Sequence, residues 1–123
     1  MSAQTGNGFH VCCVQLNITW ENRAANFARV ETLLEASPPP AGSMVLLPEM
    51  FASGFSMNVE TVREDDRQET AGFLAGLARR RQIYVTGGLV APEAAGVRGP
   101  ACNLSVTYDP SGREVARYAK IQP

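Results

Sequence analysis

The sequence predicts an α/β domain built on a mixed, mainly parallel sheet, and three observations carry that expectation. Short continuous apolar runs alternate with two segments whose apolar residues recur every three or four positions. Clusters of Pro and Gly fall at the boundaries between these segments. Towards the C-terminus, two alternating stretches flank an Asp-Pro-Ser-Gly turn, which adds a β-hairpin to the sheet.

Residues 1–8 are polar, uncharged and contain glycine, so they read as a short disordered lead-in to a single domain over 9–123. The run from Phe9 to Leu16 carries Val11, Cys12, Cys13 and Val14 in succession, a pattern suited to a strand covered on both faces. Ala24, Phe27, Val30 and Leu34 then mark a helix, which Ser37-Pro38-Pro39-Pro40 must stop. Met44-Val45-Leu46-Leu47 is a second buried-type strand, broken by Pro48. Between Glu49 and Asn58 the chain is loop-like yet carries Met50, Phe51, Phe55 and Met57, and apolar bulk of this kind packs a loop inward. Acidic Glu64, Asp65 and Asp66 lead into a second helix with Phe73, Leu74, Leu77 and Ala78 on one face. Ile83 to Val90 is a third strand, 91–100 a surface loop, and Leu104, Val106 and Tyr108 alternate into the hairpin whose return strand runs from Val115 to Tyr118.

Strands that alternate with helices imply right-handed crossovers, and in such sheets ligands gather at the carboxyl ends of the strands. Glu49 sits at that end, immediately after the second strand.

Composition excludes several functions. A hydrophobic fraction of 45%, a charged fraction of 19% and a net charge of −1 describe an ordinary globular protein with no basic face for nucleic acid. The basic run Arg79-Arg80-Arg81 reads as a helix C-terminus complementing the helix dipole. No apolar run approaches the roughly 20 residues that span a bilayer, and the N-terminus lacks a signal peptide's charged and apolar regions. Cys12, Cys13 and Cys102 make neither an even disulfide framework nor a metal-type motif, which fits a reducing, cytoplasmic setting. Cys12 and Cys13 are expected to pack as small apolar groups, and the single histidine, His10, to lie at an edge or surface.

Two residues could carry chemistry. A glutamate held between Pro48 and the apolar pair Met50-Phe51 would be desolvated, and burial moves a carboxylate towards the range useful to a general base. The competing reading is an ordinary solvated loop glutamate. Lys120, in Tyr118-Ala119-Lys120-Ile121-Gln122-Pro123, would by itself be a solvated strand-end charge.

Considered together with their surroundings, these segments resemble a known family. Leu46-Leu47-Pro48-Glu49-Met50-Phe51 followed by Gly54-Phe55 resembles the first motif of the nitrilase superfamily of carbon–nitrogen hydrolases, and Arg117 to Pro123 resembles its second. The hairpin from Asn103 to Glu114 is similar to the one that precedes the family's lysine. Val14-Gln15-Leu16 followed by Trp20, Asn22, Asn26 and Phe27 is similar to its opening strand and helix. The continuation from Met50 to Met57 looks most like the ω-amidase branch, which hydrolyses the terminal amides of 2-oxo acids.

The resemblance implies the N-terminal part of a four-layer α-β-β-α sandwich, in the form of a homo-oligomer, and a Glu-Lys-Cys site. In that site Glu49 is the general base, Lys120 stabilises the oxyanion and Phe55 contacts a small carboxamide substrate, with no metal or organic cofactor. The family's nucleophilic cysteine lies on a strand-to-helix elbow beyond the lysine, so no cysteine of these 123 residues takes that place. The expected function is hydrolysis of a small amide to acid and ammonia by the intact protein, with this chain inactive alone. The alternative is a catalytically inactive α/β module for interaction or oligomerisation. Nitrile, carbamoyl or N-acyl chemistry would use the same three groups.

Overall fold

Seven elements follow one another in the expected order in the computed structural model, which describes residues 8–54, 69–92 and 101–120 and, at positions 91, 92, 101 and 102, the backbone alone. They are β1 (Val11–Cys13), α1 (Arg23–Ala36), β2 (Met44–Leu46), α2 (Glu69–Arg81), β3 (Tyr84–Pro92), β4 (Ala101–Tyr108) and β5 (Glu114–Ala119). The strands pair in chain order. β1–β2 and β2–β3 are parallel, whereas β3–β4 and β4–β5 are antiparallel. The sheet is therefore mixed. Residues 1–7 of the 1–8 lead-in, the acidic stretch 64–66 and most of the 91–100 loop lie outside the described residues. Ala91 and Pro92 belong to β3 rather than to that loop, because they continue its ladder opposite Cys102 and Ala101.

Local chemistry explains the helix limits. Asn22 caps α1 by accepting a hydrogen bond from the Ala25 amide at 3.0 Å, and the proline run follows Ser37, whose N–H closes the last turn on Leu33. α2 has Glu69 in its first turn and Arg79, Arg80 and Arg81 in its last, the charge order that complements a helix dipole. The arginines also tie the helices together: Arg81 reaches both Glu31 and Glu35 of α1 at 3.1 Å.

Both helices cover one face of the sheet. Pairing register places Val45, Val85, Gly87, Leu89, Leu104, Val106 and Tyr108 on that face, and the apolar ones form a single buried cluster with Val30, Leu34, Leu74 and Leu77. Phe27 and Phe73 stack between the helices with ring centroids 4.2 Å apart. The opposite face has no covering layer among the described residues. Two expectations for β1 are corrected there. Among the described residues β1 is an edge strand bonded to β2 alone; Val11 is 54% exposed, and Cys13 is exposed too instead of packing internally. Only Cys12, with Val14 and Leu16, leans on the core. His10 is exposed, next to that edge.

Candidate active site

β2 ends at Leu46, but its parallel ladder runs one residue further through the Leu47 N–H to Thr86 O bond of 2.8 Å. Pro48 has no N–H to extend it. The chain then folds tightly: Met50 takes a left-handed φ of 51°, and the Ser53 and Gly54 amides both donate to its carbonyl. Left-handed backbone is costly for a non-glycine residue, and such strain persists where packing dictates it. Here Phe51 is fully buried in the core beside Phe27 and Phe73, while Met50 packs on Val90 from the other face of the sheet. Anchored on both sides, the turn presents Glu49 over the uncovered face. Met50 and Phe51 pack inward as the loop's composition predicts, whereas Phe55 and Met57 lie outside the described residues.

The hairpin brings the second group. Asp109 caps the turn, accepting from the Ser111 amide and hydroxyl and from the Arg113 amide, and Gly112 takes φ 84°. Beyond a register shift between Thr107 and Tyr108 the ladder sets Leu104 opposite Ala119, and one pair further on the Lys120 N–H donates to the Asn103 carbonyl at 2.9 Å. Lys120 Nζ lies 3.0 Å from Glu49 Oε1, although 71 positions separate the two residues. The Asn103 carboxamide donates to the same oxygen. Among the described residues no hydrogen bond reaches Glu49 Oε2.

These groups line a depression of about 300 Å³ with Leu47, Thr86, Gly88, Ser105 and Tyr118. The Glu49 side chain is 40% exposed and that of Lys120 43%, so of the two readings of Glu49 the solvated one describes its surroundings. The apolar neighbours Met50 and Phe51 direct their side chains elsewhere and leave the carboxylate open. Phe55 lies outside the described residues. Neither Cys12 nor Cys13 lines the depression; both border a separate one against α1. Among the described residues no three His, Cys, Asp or Glu side chains gather as a metal site would require.

Asn103 is the group that sequence reasoning missed. Its signal was present: Leu104, Val106 and Tyr108 alternate inward, so Asn103, Ser105 and Thr107 must share the other face. Its partner was not legible: counting back from the Asp109 turn pairs Asn103 with Ala119, and only a register shift between Thr107 and Tyr108 brings Lys120 opposite it.

A carboxylate, an ammonium and a carboxamide donor converge at the end of a mixed sheet, an arrangement able to give and take protons. The family model for carbon–nitrogen hydrolases matches residues 10–123, and the chain belongs to that family. It is 30% identical over 102 residues to a deaminated glutathione amidase of Synechocystis sp., covering 81% of this chain and 37% of that protein. It is 26% identical over 114 residues to an omega-amidase of Danio rerio, covering 92% of this chain and 40% of that one. Among solved structures, a CN-hydrolase superfamily protein of Xanthomonas campestris with an arsenic adduct in its active site superposes with a TM-score of 0.72 at 25% identity, covering 89% of this chain and 39% of that one. The chain thus spans about two-fifths of the length of these relatives. The named curated relatives are amidases, hydrolases acting on carbon–nitrogen bonds.

Proposed function

We propose that this chain supplies the acid–base half of a thiol-dependent amidase, with Glu49 as general base and Lys120 as the cation facing the oxyanion. The observation that carries this reading is the 3.0 Å approach of Lys120 Nζ to Glu49 Oε1 beside an open depression. In the reaction, a cysteine thiol from sequence outside these residues gives its proton to Glu49. The thiolate attacks the amide carbonyl, and the negative charge that develops on oxygen is met by the Lys120 ammonium. One such donor typically lowers the barrier by roughly 3 to 4 kcal/mol. The proton held by Glu49 passes to the departing ammonia, and water activated by the same carboxylate releases the acid. The substrate is a small carboxamide, and the ω-amide of a 2-oxo acid is the class nearest to the Danio relative's name.

Without its nucleophile a cooperative catalytic set loses nearly all its rate enhancement, a factor on the order of a million. The 123-residue chain alone is therefore expected to be inactive. The test is ammonia release from the ω-monoamide of a 2-oxo dicarboxylic acid. The product of a complete reading frame containing this sequence should turn over; its Glu49→Gln variant and the isolated chain should not. Turnover by the isolated chain would refute the division of labour.

A second reading draws on the uncovered sheet face, where Val11 and Tyr118 are 54% and 59% exposed. Apolar surface and open strand edges favour association, so the isolated chain would act as an oligomerisation module. Light scattering separates this from a well-behaved monomer.

A further inference from the structure

The hydrogen bonds around Glu49 are asymmetric. Oε1 receives both the Lys120 ammonium and the Asn103 carboxamide, while Oε2 has no partner among the described residues. Asn103 also holds Lys120 by its backbone, since its carbonyl accepts the Lys120 N–H at 2.9 Å. One residue of β4 therefore grips the carboxylate with its side chain and the lysine with its main chain. Its own position is fixed by pairing with Val90 of β3, the residue on which Met50 packs. The path from strand to carboxylate is short, and its covalent part is rigid.

We propose that Asn103 is a positioning residue: it pins Glu49 through Oε1 and so assigns proton transfer to Oε2. This rests on the reading of Glu49 as the base. A carboxylate rotates readily about its last bond, and a single exposed ammonium on a flexible stem defines its plane poorly. A carboxamide donor from a paired strand removes that freedom. With Oε1 saturated by two donors, Oε2 keeps the lone pairs that take the thiol proton: the S–H bond breaks, the O–H bond forms, and the thiolate carries the charge. The same geometry returns that proton to the leaving ammonia. An asparagine suits this task because it donates without titrating, whereas an acid at 103 would set two carboxylates against each other.

The experiment compares Asn103→Ala, Asn103→Asp and Glu49→Gln in the product of the complete reading frame, with ammonia release from the ω-monoamide of a 2-oxo dicarboxylic acid. Loss of the donor should lower kcat about 10- to 100-fold for Asn103→Ala and leave KM within about twofold. The isosteric Asn103→Asp should be worse than alanine, because it keeps the shape and reverses the interaction. A residue that merely filled space would give the opposite order, and that order would overturn the proposal. Full activity of Glu49→Gln would sink the assignment of the base, while a dead Glu49→Gln with an unimpaired Asn103→Ala sinks this inference alone. The 15N–1H signals of the Asn103 carboxamide need no turnover: Glu49→Gln should shift them, and unchanged signals would overturn the contact itself.

Discussion

Gly88 faces the backbone of the Glu49–Met50 turn so closely that a Cβ at position 88 would stand 2.8 Å from the Met50 nitrogen and 3.2 Å from the Glu49 Cα. Main-chain atoms cannot swing aside as a side-chain end can. Its neighbour Gly87 points to the other face, where a Cβ would meet Leu74 at 3.0 Å and Phe51 at 3.2 Å, both side-chain atoms. The adjacent glycines thus serve opposite faces of β3, one admitting the core and the other the turn that carries the carboxylate.

Gly88→Ala is therefore expected to displace Glu49. Overpacking of this sort costs about 1–3 kcal/mol, so the thermal midpoint should fall by roughly 5 °C or more. Activity of the complete protein should fall further than that of Gly87→Ala, whose clash the Leu74 and Phe51 rotamers can absorb in part. Differential scanning calorimetry beside an ammonia assay reads both effects; equal activity losses would contradict the assignment of the two faces.

The ion pair between Glu49 and Lys120 should contribute little to stability. Both side chains are about two-fifths exposed, and pairs in that situation are worth about 0–1 kcal/mol because solvent screens them. Glu49→Gln and Lys120→Met are expected to move the urea midpoint of unfolding by no more than about 0.5 kcal/mol in equivalent free energy. In the complete protein Lys120→Met should nonetheless slow turnover by about 100- to 1,000-fold, as loss of an oxyanion donor does. A large stability loss without a catalytic one would make the pair structural.

Much of this arrangement was legible in the sequence, and the failures share a cause. Periodicity located α1 and α2 because Val30, Leu34, Leu74 and Leu77 meet the core at helical spacing, and Pro38-Pro39-Pro40 left α1 no way to continue. The Asp109 turn located the hairpin for equally local reasons. What a one-dimensional pattern cannot carry is order across the sheet. Val11 and Cys13 were expected to be covered, but strand composition does not say which strand ends at an edge, nor what covers the second face. For Glu49 the sequence leaves a desolvated and a solvated reading open, and the turn decides for the second. Met50 and Phe51 are indeed apolar anchors, yet the left-handed turn at Met50 sends them into separate clusters and away from the carboxylate. Alternation gives the face of Asn103, but its pairing with Lys120 depends on the register shift between Thr107 and Tyr108, which no turn residue announces.

Asn26 links the helix to the turn that bears Glu49. It is fully buried; its Nδ2 donates to the Ala52 carbonyl at 2.6 Å and to the Thr19 carbonyl at 2.8 Å, while its Oδ1 accepts the Thr19 amide at 2.7 Å. Thr19 is exposed and water can replace its bonds, but Ala52 is buried, and an orphaned buried carbonyl costs about 1–3 kcal/mol. Asn26→Ala should thus destabilise by about 2–4 kcal/mol once the lost packing is included. Asn26→Asp should be worse still, since it faces two carbonyl oxygens with a carboxylate. Urea denaturation monitored by Trp20 fluorescence distinguishes them, and an aspartate variant as stable as the native protein would refute the donor assignment.

The hairpin should respond to acid through Asp109. The Ser111 hydroxyl, helped by the Arg113 and Ser111 amides, holds its carboxyl below the usual aspartate range. A carboxyl depressed in the folded state stabilises the fold above its unfolded pKa of about 3.9, and that contribution disappears as pH drops through the lower folded value. Asp109→Asn removes the titration. The variant should be less stable than the native protein at pH 7, and the gap should close progressively below about pH 4. Because Lys120 reaches Glu49 through the hairpin ladder that starts at this turn and shifts between Thr107 and Tyr108, loosening the turn should also weaken the site. Hydrogen exchange at the Lys120 amide, which is bonded to the Asn103 carbonyl, would report that coupling: exchange should quicken in Asp109→Asn at neutral pH and converge on the native rate in acid. A gap that stays constant from neutral pH to pH 3 would mean that Asp109 acts through shape alone.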